Sequence, residues 1–297
     1  MAGSIFLTII PRISRAVARR RNALRALIGV LALLVILDPF LFDRSVVHLL
    51  VWHSVIFLML LLALLMVESA DDDAVDEAAR PRAPRFVPAL GFKALTPLYD
   101  GVVKATTREG LFKRTLIAQA SIQPGQLVLD LACGTGTLAV RMAQAQPLAQ
   151  ITGVDGDPEG LARAGKKVER AGVRVRLDQA NATALPYGAE QFDRVVTSLF
   201  FHHLDWPDKH RVAAEILRVL KPGGELHIAD WGKPANRLMR WLFFPVQVLD
   251  GFANTRSHVA GQLVELFQQA GFQAVVERGR ISTMFGTLSL YSAARPH

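Results

Sequence analysis

The sequence predicts an α/β fold in which strands and helices alternate along the chain. An apolar run of strand length, Leu127–Leu131, leads through a glycine-containing turn into a helical run at residues 138–145. A second apolar strand follows it and ends in Asp155. Three further strands are predicted at residues 173–178, 192–199 and 225–230, with a helix that closes in residues 215–224 before the last of them. Such alternation is typical of a parallel sheet covered by helices.

The turn between the first strand and the first helix predicts a ligand site. Gly134 and Gly136 allow positive φ and a close approach of the backbone to a ligand, and the free N–H groups of the helix start face the same space. A glycine pair alone is a weak signal, because similar strings occur in turns that hold nothing. Asp155 strengthens it, since an acidic residue at about this spacing receives ribose hydroxyls in this architecture.

From Leu127 to about Ala294, the chain resembles a class I S-adenosylmethionine-dependent methyltransferase. The resemblance rests on Asp130 before the glycines, on the string N-A-T-A-L-P that begins at Asn181 and on the string K-P-G-G that begins at Lys221. Within this class the chain is most similar to the group that contains the ubiquinone and menaquinone biosynthesis methyltransferases and bacterial phospholipid methyltransferases. An NAD enzyme, the alternative interpretation of the glycine turn, fits these strings less well.

The resemblance implies a Rossmann-like, seven-stranded α/β domain. Its last elements would be a helix at residues 258–270 and a closing antiparallel hairpin with strands at residues 272–277 and 287–294. We therefore predict that the methyltransferase domain occupies residues 91–297.

The resemblance also implies S-adenosylmethionine as the cofactor and assigns its contacts. Asp130 would accept a hydrogen bond from the methionine ammonium, and Asp155 would accept from the ribose hydroxyls. Asn181 stands where the family usually has Asp, and its carbonyl oxygen would accept from the adenine amine beside the Ala182 N–H. Tyr99 is included as an expected cofactor contact, and ordinary helix packing is the alternative role for this residue. The full expected set is Tyr99, Asp130, Ala132, Cys133, Gly134, Thr135, Gly136, Asp155, Gly156, Asn181, Ala182, Ser198 and Leu199.

Three residues at the ends of the fourth and fifth predicted strands are candidates for acid–base chemistry. Methyl transfer is an in-line displacement from an activated sulfonium, so alignment of the acceptor supplies most of the acceleration. An acceptor that must lose a proton needs a base, and His202, His203 and Asp230 lie where ligands bind in such sheets. Similar His pairs occur in methyltransferases of different chemistry, which leaves a structural role open. His227 alternates within its strand and is predicted to be packed. The single Cys133 fits no metal-ligand spacing, and no metal is predicted.

The first 67 residues predict a transmembrane helical hairpin. Residues 46–67 form an uncharged run of 22 residues, long enough as a helix to cross a bilayer, and residues 26–42 form a shorter first span. Six arginines precede the first span, so the positive-inside rule places both ends of the hairpin in the cytoplasm. We therefore predict a multi-pass protein of the inner, cytoplasmic membrane whose catalytic domain faces the cytoplasm.

Charge is distributed unevenly along the chain. Residues 68–90 predict an exposed linker, because within residues 68–85 six acids are followed by three arginines and two prolines. The net charge of +8 is concentrated in residues 1–67, which hold seven arginines against two acids. A nucleic-acid-binding surface would place the excess on the folded domain, so no nucleic-acid partner is predicted. Residues 198–201 read S-L-F-F, in place of the Asn/Asp-Pro-Pro-aromatic string of nucleic-acid methyltransferases that act on amines.

Residues 231–250 are a candidate acceptor-binding segment. They mix two arginines with Leu, Trp and Phe, a composition suited to a lipid headgroup interface, and core packing is the alternative. Together with the predicted hairpin, this segment favours a membrane-anchored methyltransferase that acts on a lipophilic small molecule or lipid, such as a prenylated quinone precursor or a phospholipid amine. The alternative function is a membrane-tethered regulatory protein that binds S-adenosylmethionine without turnover. The methylated atom is left open.

Overall fold

The computed structural model describes residues 107–297, except for the side chain of residue 249. The strands are β1 Leu127–Leu131, β2 Gln150–Asp155, β3 Val175–Gln179, β4 Phe192–Ser198, β5 Leu220–Trp231, β6 Gln273–Thr283 and β7 Gly286–Ala294. The helices are α1 Glu109–Ala120, α2 Thr137–Ala145, α3 Pro158–Ala171, α4 Trp206–Val219, α5 Arg237–Leu242, α6 Phe244–Asp250, α7 Phe252–Ala260 and α8 Leu263–Gln269, with a 3-10 turn at Phe201–His203.

All seven of these strands belong to one sheet, in the order β3-β2-β1-β4-β5-β7-β6. Strands β1 to β5 are parallel, and β7 runs antiparallel to both β5 and β6. The strand order reverses between β1 and β4, so the carboxyl ends of these two neighbours border the crevice in which such sheets bind ligands. The predicted seven-stranded, Rossmann-like α/β fold is confirmed.

Strand β1 is apolar because both faces of the sheet are covered. Its side chains alternate between two buried clusters. Val128 belongs to the cluster that contains Phe112 of α1 and Leu138 of α2, whereas Leu129 and Leu131 belong to the cluster built with α4 and α8. Because side chains alternate along a strand, residue 130 faces the same side as Val128. A carboxylate is therefore held between the sheet and helices α1 and α2.

The helix predicted at residues 258–270 is two helices in the structure. Gly261 adopts a φ of 77° and ends α7, where its N–H donates to the His258 carbonyl and the Gln262 N–H donates to the Ser257 carbonyl. These two bonds satisfy carbonyls that a continuing helix would have used, which is the usual way in which a glycine stops a helix. Apolar residues continue on both sides of Gly261, so the sequence pattern did not show the break.

The predicted membrane localisation is contradicted within the residues that the structure describes. Among residues 107–297, no helix combines the length and the apolar character that a bilayer crossing requires. The two predicted spans at residues 26–42 and 46–67 and the linker at residues 68–90 lie outside the described residues, as does Tyr99. The division of the chain at residues 67 and 90 stays a prediction from sequence.

Residues 231–250 divide between the core and the surface, so neither sequence interpretation applies to the whole segment. Met239, Phe243 and Val246 are buried, and the Phe243 ring lies 5.4 Å from the Trp231 ring. Trp241 is 75% exposed and Phe244 is 41% exposed. The division follows helical spacing, because residues four apart share one face of a helix.

Substitutions on the buried face and on the exposed face of this segment should change the free energy of unfolding by very different amounts. Phe243→Ala should lower the free energy of unfolding by about 3–5 kcal/mol, because it removes a fully buried ring that packs on Trp231. Trp241→Ser should change it by less than about 0.5 kcal/mol, since the side chain is mostly in solvent. Urea denaturation followed by circular dichroism measures both. Equal losses in the two variants would contradict this assignment of core and surface.

Candidate active site

The glycines after β1 have different structural roles. At Gly136, with a φ of 73°, an added Cβ would lie 2.8 Å from the Cβ of Ala164 on α3, so any side chain would push α2 and α3 apart. At Gly134, with a φ of 52°, an added Cβ would have no atom within 4 Å. Gly136 therefore allows close packing of two helices, and Gly134 leaves an open flank beside the turn.

Asp130 is a buried carboxylate with one unused oxygen. The Ala139 N–H, in the first turn of α2, donates to it, while Oδ2 has no hydrogen-bond partner among the described residues. Burial raises the pKa of Asp130 to about 7, and the nearby Lys113 charge only partly opposes this rise. A buried acceptor without a partner is costly unless something binds it, so Oδ2 is suited to a cationic donor.

Helix α1 contributes a charged pair that sequence analysis missed. Lys113 Nζ donates to Glu109 Oε1 at 2.6 Å, and both residues are buried. Burial lowers the pKa of Lys113, and Glu109 opposes the change. The spacing of four residues within a helix is the signal that could have identified the pair. Its proximity to Asp130 was not predictable, because α1 and β1 meet only through tertiary packing.

Asp155 connects the end of β2 to the glycine turn. Its Oδ2 accepts from the Gly134 N–H at 2.7 Å, and its Oδ1 accepts from the Asp157 N–H at 2.8 Å. Burial raises the pKa of this carboxyl, and the hydrogen bonds from Asp157 and Gly134 oppose the rise. A carboxylate oxygen has two lone pairs, so Asp155 holds the turn and keeps acceptor capacity for a ligand. Gly156 follows it as the first residue after β2.

Two non-glycine residues at the carboxyl edge of the sheet have left-handed backbone. Ala132 (φ 56°) follows β1, and Leu199 (φ 54°) follows Ser198 at the end of the adjacent β4. The Leu199 N–H donates to the Ala229 carbonyl at 2.9 Å, which ties this position to β5. Such backbone costs about 1–3 kcal/mol and concentrates at functional sites. Both residues border the crevice between β1 and β4.

The side chains of the turn itself are packed inward. Cys133 is buried, and burial strongly raises the pKa of its thiol, so the group stays protonated. Thr135 Oγ1 accepts from Lys167 Nζ at 3.0 Å, and the same ammonium reaches Thr137 at the start of α2. A charged side chain from α3 therefore lies beside the glycine turn, although sequence analysis did not single it out.

Asn181 uses its side-chain oxygen within its own turn. Oδ1 accepts from both the N–H and the hydroxyl of Thr183 at 2.9 Å, a turn that Asn favours. The oxygen expected to accept from adenine is therefore engaged locally in this structure. Ala182, beside it, is partly buried against the core cluster around β4 and α4.

His202 and His203 lie in a cluster of side chains that includes two carboxylates. His202 Nδ1 is 2.7 Å from Asp230 Oδ1, and His202 Nε2 is 3.6 Å from Asp250 Oδ2. His203 Nδ1 is 3.2 Å from Asp250 Oδ1. Asp250 ends α6, far from the histidines in sequence, and no local motif marked it. We call these four residues the histidine–aspartate cluster.

Asp230 is fully buried and its oxygens are occupied. Oδ2 accepts from the N–H groups of Phe200 and Phe201, and Oδ1 accepts from the Trp231 N–H as well as facing His202. Burial raises the pKa of Asp230, but His202 and these backbone donors outweigh it and keep the pKa well below its usual range. The side chain is thus an ionised group that orients His202. His227 is packed, as predicted, with 2% exposure.

Comparison with known proteins agrees with this architecture. A family model described as a methyltransferase domain matches residues 128–224. An uncharacterised methyltransferase of Synechocystis is 35% identical over 173 residues, which cover 56% of this chain and 76% of that protein. A demethylmenaquinone methyltransferase of Lactiplantibacillus plantarum is 34% identical over 224 residues, which cover 66% of this chain and 93% of that protein. The chain belongs to the class I S-adenosylmethionine-dependent methyltransferases of the ubiquinone and menaquinone type.

This methyltransferase is therefore an enzyme, and its cofactor is S-adenosylmethionine. The fold is shared with solved structures of low sequence identity. Haemonchus contortus phosphoethanolamine N-methyltransferase 2 in complex with S-adenosylmethionine superposes with a TM-score of 0.51 at 18% identity, over 62% of this chain and 52% of that one. At such identity the likeness concerns the fold alone.

The methyltransferase should show a pH-dependent stability that originates at Asp130. Its pKa is about 7 in the fold against an ordinary value of 3.8, so the folded carboxyl holds its proton more tightly than the unfolded one. Its contribution to stability is complete below pH 3.8 and is lost as the pH rises to about 7. Asp130→Asn should remove this loss, and should gain stability relative to the wild type between pH 5 and pH 8.

Urea denaturation of the ligand-free protein at both pH values measures the effect. Asp208→Asn, in the first turn of α4 and paired with Arg211, is the matched control and should follow the pH dependence of the wild type. An Asp130→Asn variant that differs from the wild type by the same amount at pH 5 and pH 8 would contradict the raised pKa.

Proposed function

We propose that this methyltransferase transfers the methyl group of S-adenosylmethionine to a ring carbon of a lipophilic, quinol-type small molecule. The proposal is supported by the demethylmenaquinone methyltransferase of Lactiplantibacillus plantarum, nearly all of which this chain covers. A carbon acceptor also agrees with the name of the Shewanella halifaxensis relative, a ubiquinone/menaquinone biosynthesis C-methyltransferase 35% identical over 136 residues.

We assign the cofactor to the crevice at the ends of β1, β2 and β4. Asp130 Oδ2 would accept from the methionine ammonium, and the backbone from Ala132 to Gly136 would line the methionine portion. Asp155 and Gly156 would face the ribose, with Ala182 beside the adenine. The unpaired Asp130 oxygen and the open flank of Gly134 support this assignment. Ser198 and Leu199 would close the bottom of the pocket.

The acceptor assignment is carried by one juxtaposition. Exposed aromatic side chains flank the histidine–aspartate cluster in the chain: Phe244 begins α6, Asp250 ends it, and Phe252 begins α7. Phe252 is 52% exposed, and its ring lies 5.9 Å from that of Phe244. Apolar rings next to polar side chains suit an acceptor with a hydroxylated ring and an apolar tail.

The reaction we propose needs little acid–base chemistry from the protein. The acceptor hydroxyl releases its proton to solvent, and an electron pair of the adjacent ring carbon attacks the methyl group. The methyl–sulfur bond breaks, its electron pair stays on sulfur, and S-adenosylhomocysteine forms. Loss of the proton from the methylated ring carbon restores the aromatic ring, and the ring oxygen takes a proton back from solvent to give the quinol. His202 and His203 would face the ionised oxygen, with Asp230 as a positioning residue for His202.

Substitution of Asp155 should weaken binding of the cofactor. Asp155→Ala should cost about 1.5–3 kcal/mol for each charge-assisted hydrogen bond removed, because the ribose loses its acceptor. Asp208→Ala is a surface control that should bind normally. Isothermal titration calorimetry with S-adenosylmethionine measures both. A folded Asp155→Ala variant with unchanged affinity would reject the assignment of Asp155 to the ribose.

The acceptor proposal predicts a preference among three substrates. With radiolabelled S-adenosylmethionine, label should enter a short-chain demethylmenaquinol and leave catechol and phosphatidylethanolamine vesicles unlabelled. The double change Phe244→Ser and Phe252→Ser should raise KM for the quinol and leave cofactor affinity unchanged, since lost uniform binding acts on KM. Leu148→Ser is the control. It changes another exposed apolar residue, which lies just before β2 and so near the amino ends of the parallel strands. Labelling of the vesicles in place of the quinol would overturn the proposal.

A further inference from the structure

Three side chains converge on one point at the carboxyl edge of the sheet. His202, His203 and Asp250 each offer one ligand atom, and these atoms all lie within 4.8 Å of one another. They come from separate elements: the histidines from the 3-10 turn after β4, the aspartate from the end of α6. From this geometry we infer that His202, His203 and Asp250 form a binding site for a divalent transition-metal ion.

The two separations that involve Asp250 suit coordination. His203 Nδ1 and Asp250 Oδ1 are 3.2 Å apart, and His202 Nε2 and Asp250 Oδ2 are 3.6 Å apart. Two ligand atoms at about 2.0–2.2 Å from one ion, at tetrahedral or octahedral angles, lie roughly 3.0–3.5 Å apart. Ligand atoms of the cluster that lie up to 4.8 Å apart must move closer together to enclose an ion.

The surroundings of His202 are those of a metal ligand. Its Nδ1 faces Asp230 Oδ1 at 2.7 Å, an arrangement that favours a proton on Nδ1 and would leave Nε2, on the side of Asp250, for an ion. A carboxylate behind the other ring nitrogen is the common arrangement for metal-binding histidines, because it sets the tautomer and the ring orientation. Asp230 is itself held by three backbone N–H groups, so this support is rigid.

His203 supplies an independent observation. Its Nδ1 is buried and makes no well-aligned hydrogen bond within the described residues, although Asp250 is near. A cation coordinated by both the imidazole nitrogen and the carboxylate would satisfy this buried contact. Asn254 donates to the backbone carbonyls of His203 and Asp250, which holds the two ligand-bearing segments together.

The ligand set narrows the choice of ion to a few transition metals. Two imidazoles and one carboxylate suit Zn²⁺, Mn²⁺ or Fe²⁺, whereas Mg²⁺ and Ca²⁺ prefer sites made of oxygen. Three protein ligands leave at least one open position. If the proposed function is correct, this position would take the ionised oxygen of the acceptor, beside the two carboxylates of the cluster. This last step rests on the proposed function, but the metal site does not.

The test is metal binding by the 297-residue chain after treatment with a chelator. Titration calorimetry with Zn²⁺ should detect one equivalent bound at this site. Asp250→Asn and His203→Gln should each weaken that binding by more than about tenfold, and Asp230→Asn by about 10–100-fold through His202. His210→Gln, on α4 and outside the cluster, is the matched control and should bind as the wild type does.

A crystal soak in Zn²⁺ and a titration with S-adenosylmethionine distinguish failure of the metal site from failure of the proposed function. Wild-type crystals soaked in Zn²⁺ should show anomalous density between His202, His203 and Asp250, which needs no variant to fold. Absence of that density, or full Zn²⁺ affinity in folded Asp250→Asn and His203→Gln proteins, would overturn the metal site. Affinity for S-adenosylmethionine is measured in parallel. Metal binding without quinol methylation would reject only the acceptor, and quinol methylation by a protein that binds no metal would reject only the metal site.

Discussion

The parallel pairing of β1 with both β2 and β4 is the constraint on which the rest of the site depends. It aligns Asp130 with Gly153 on one side and with Val196 on the other, and so brings three strand ends to one edge. The glycine turn, Asp155 and Leu199 follow these ends directly. Because β1 is buried on both faces and bonded on both sides, the ends of these strands are held in register with one another.

Buried polar groups at this edge differ in how they are satisfied. Asp155 and Asp230 both accept from several backbone N–H groups, so each carboxylate fastens a turn to the end of a strand. Asp130 keeps a buried oxygen that has no hydrogen-bond partner among the described residues. Asp155 and Asp230 organise the backbone, whereas the free oxygen of Asp130 is suited to a donor from a ligand.

Between β5 and β6 the chain forms four short helices in succession, α5 to α8. Helix α5 packs one face on the sheet through Met239 and Phe243 and leaves Trp241 in solvent. Helix α6 then carries Asp250 to the histidines, and Gly251, with a φ of 88°, redirects the chain into α7. Short helices joined at such positions place apolar rings and a carboxylate close together without a long regular element.

The sequence by itself determined the strands and helices around the glycine turn, since apolar runs, Gly134, Gly136 and Asp155 are local signals that act within about thirty residues. The strings at residues 181–186 and 221–224 also identified the family, and the family implied the cofactor. Tertiary structure alone decided that Asp250 meets His202 and that Lys113 lies near Asp130. These contacts join residues whose spacing carries no period, so they exist only after the helices have packed on the sheet.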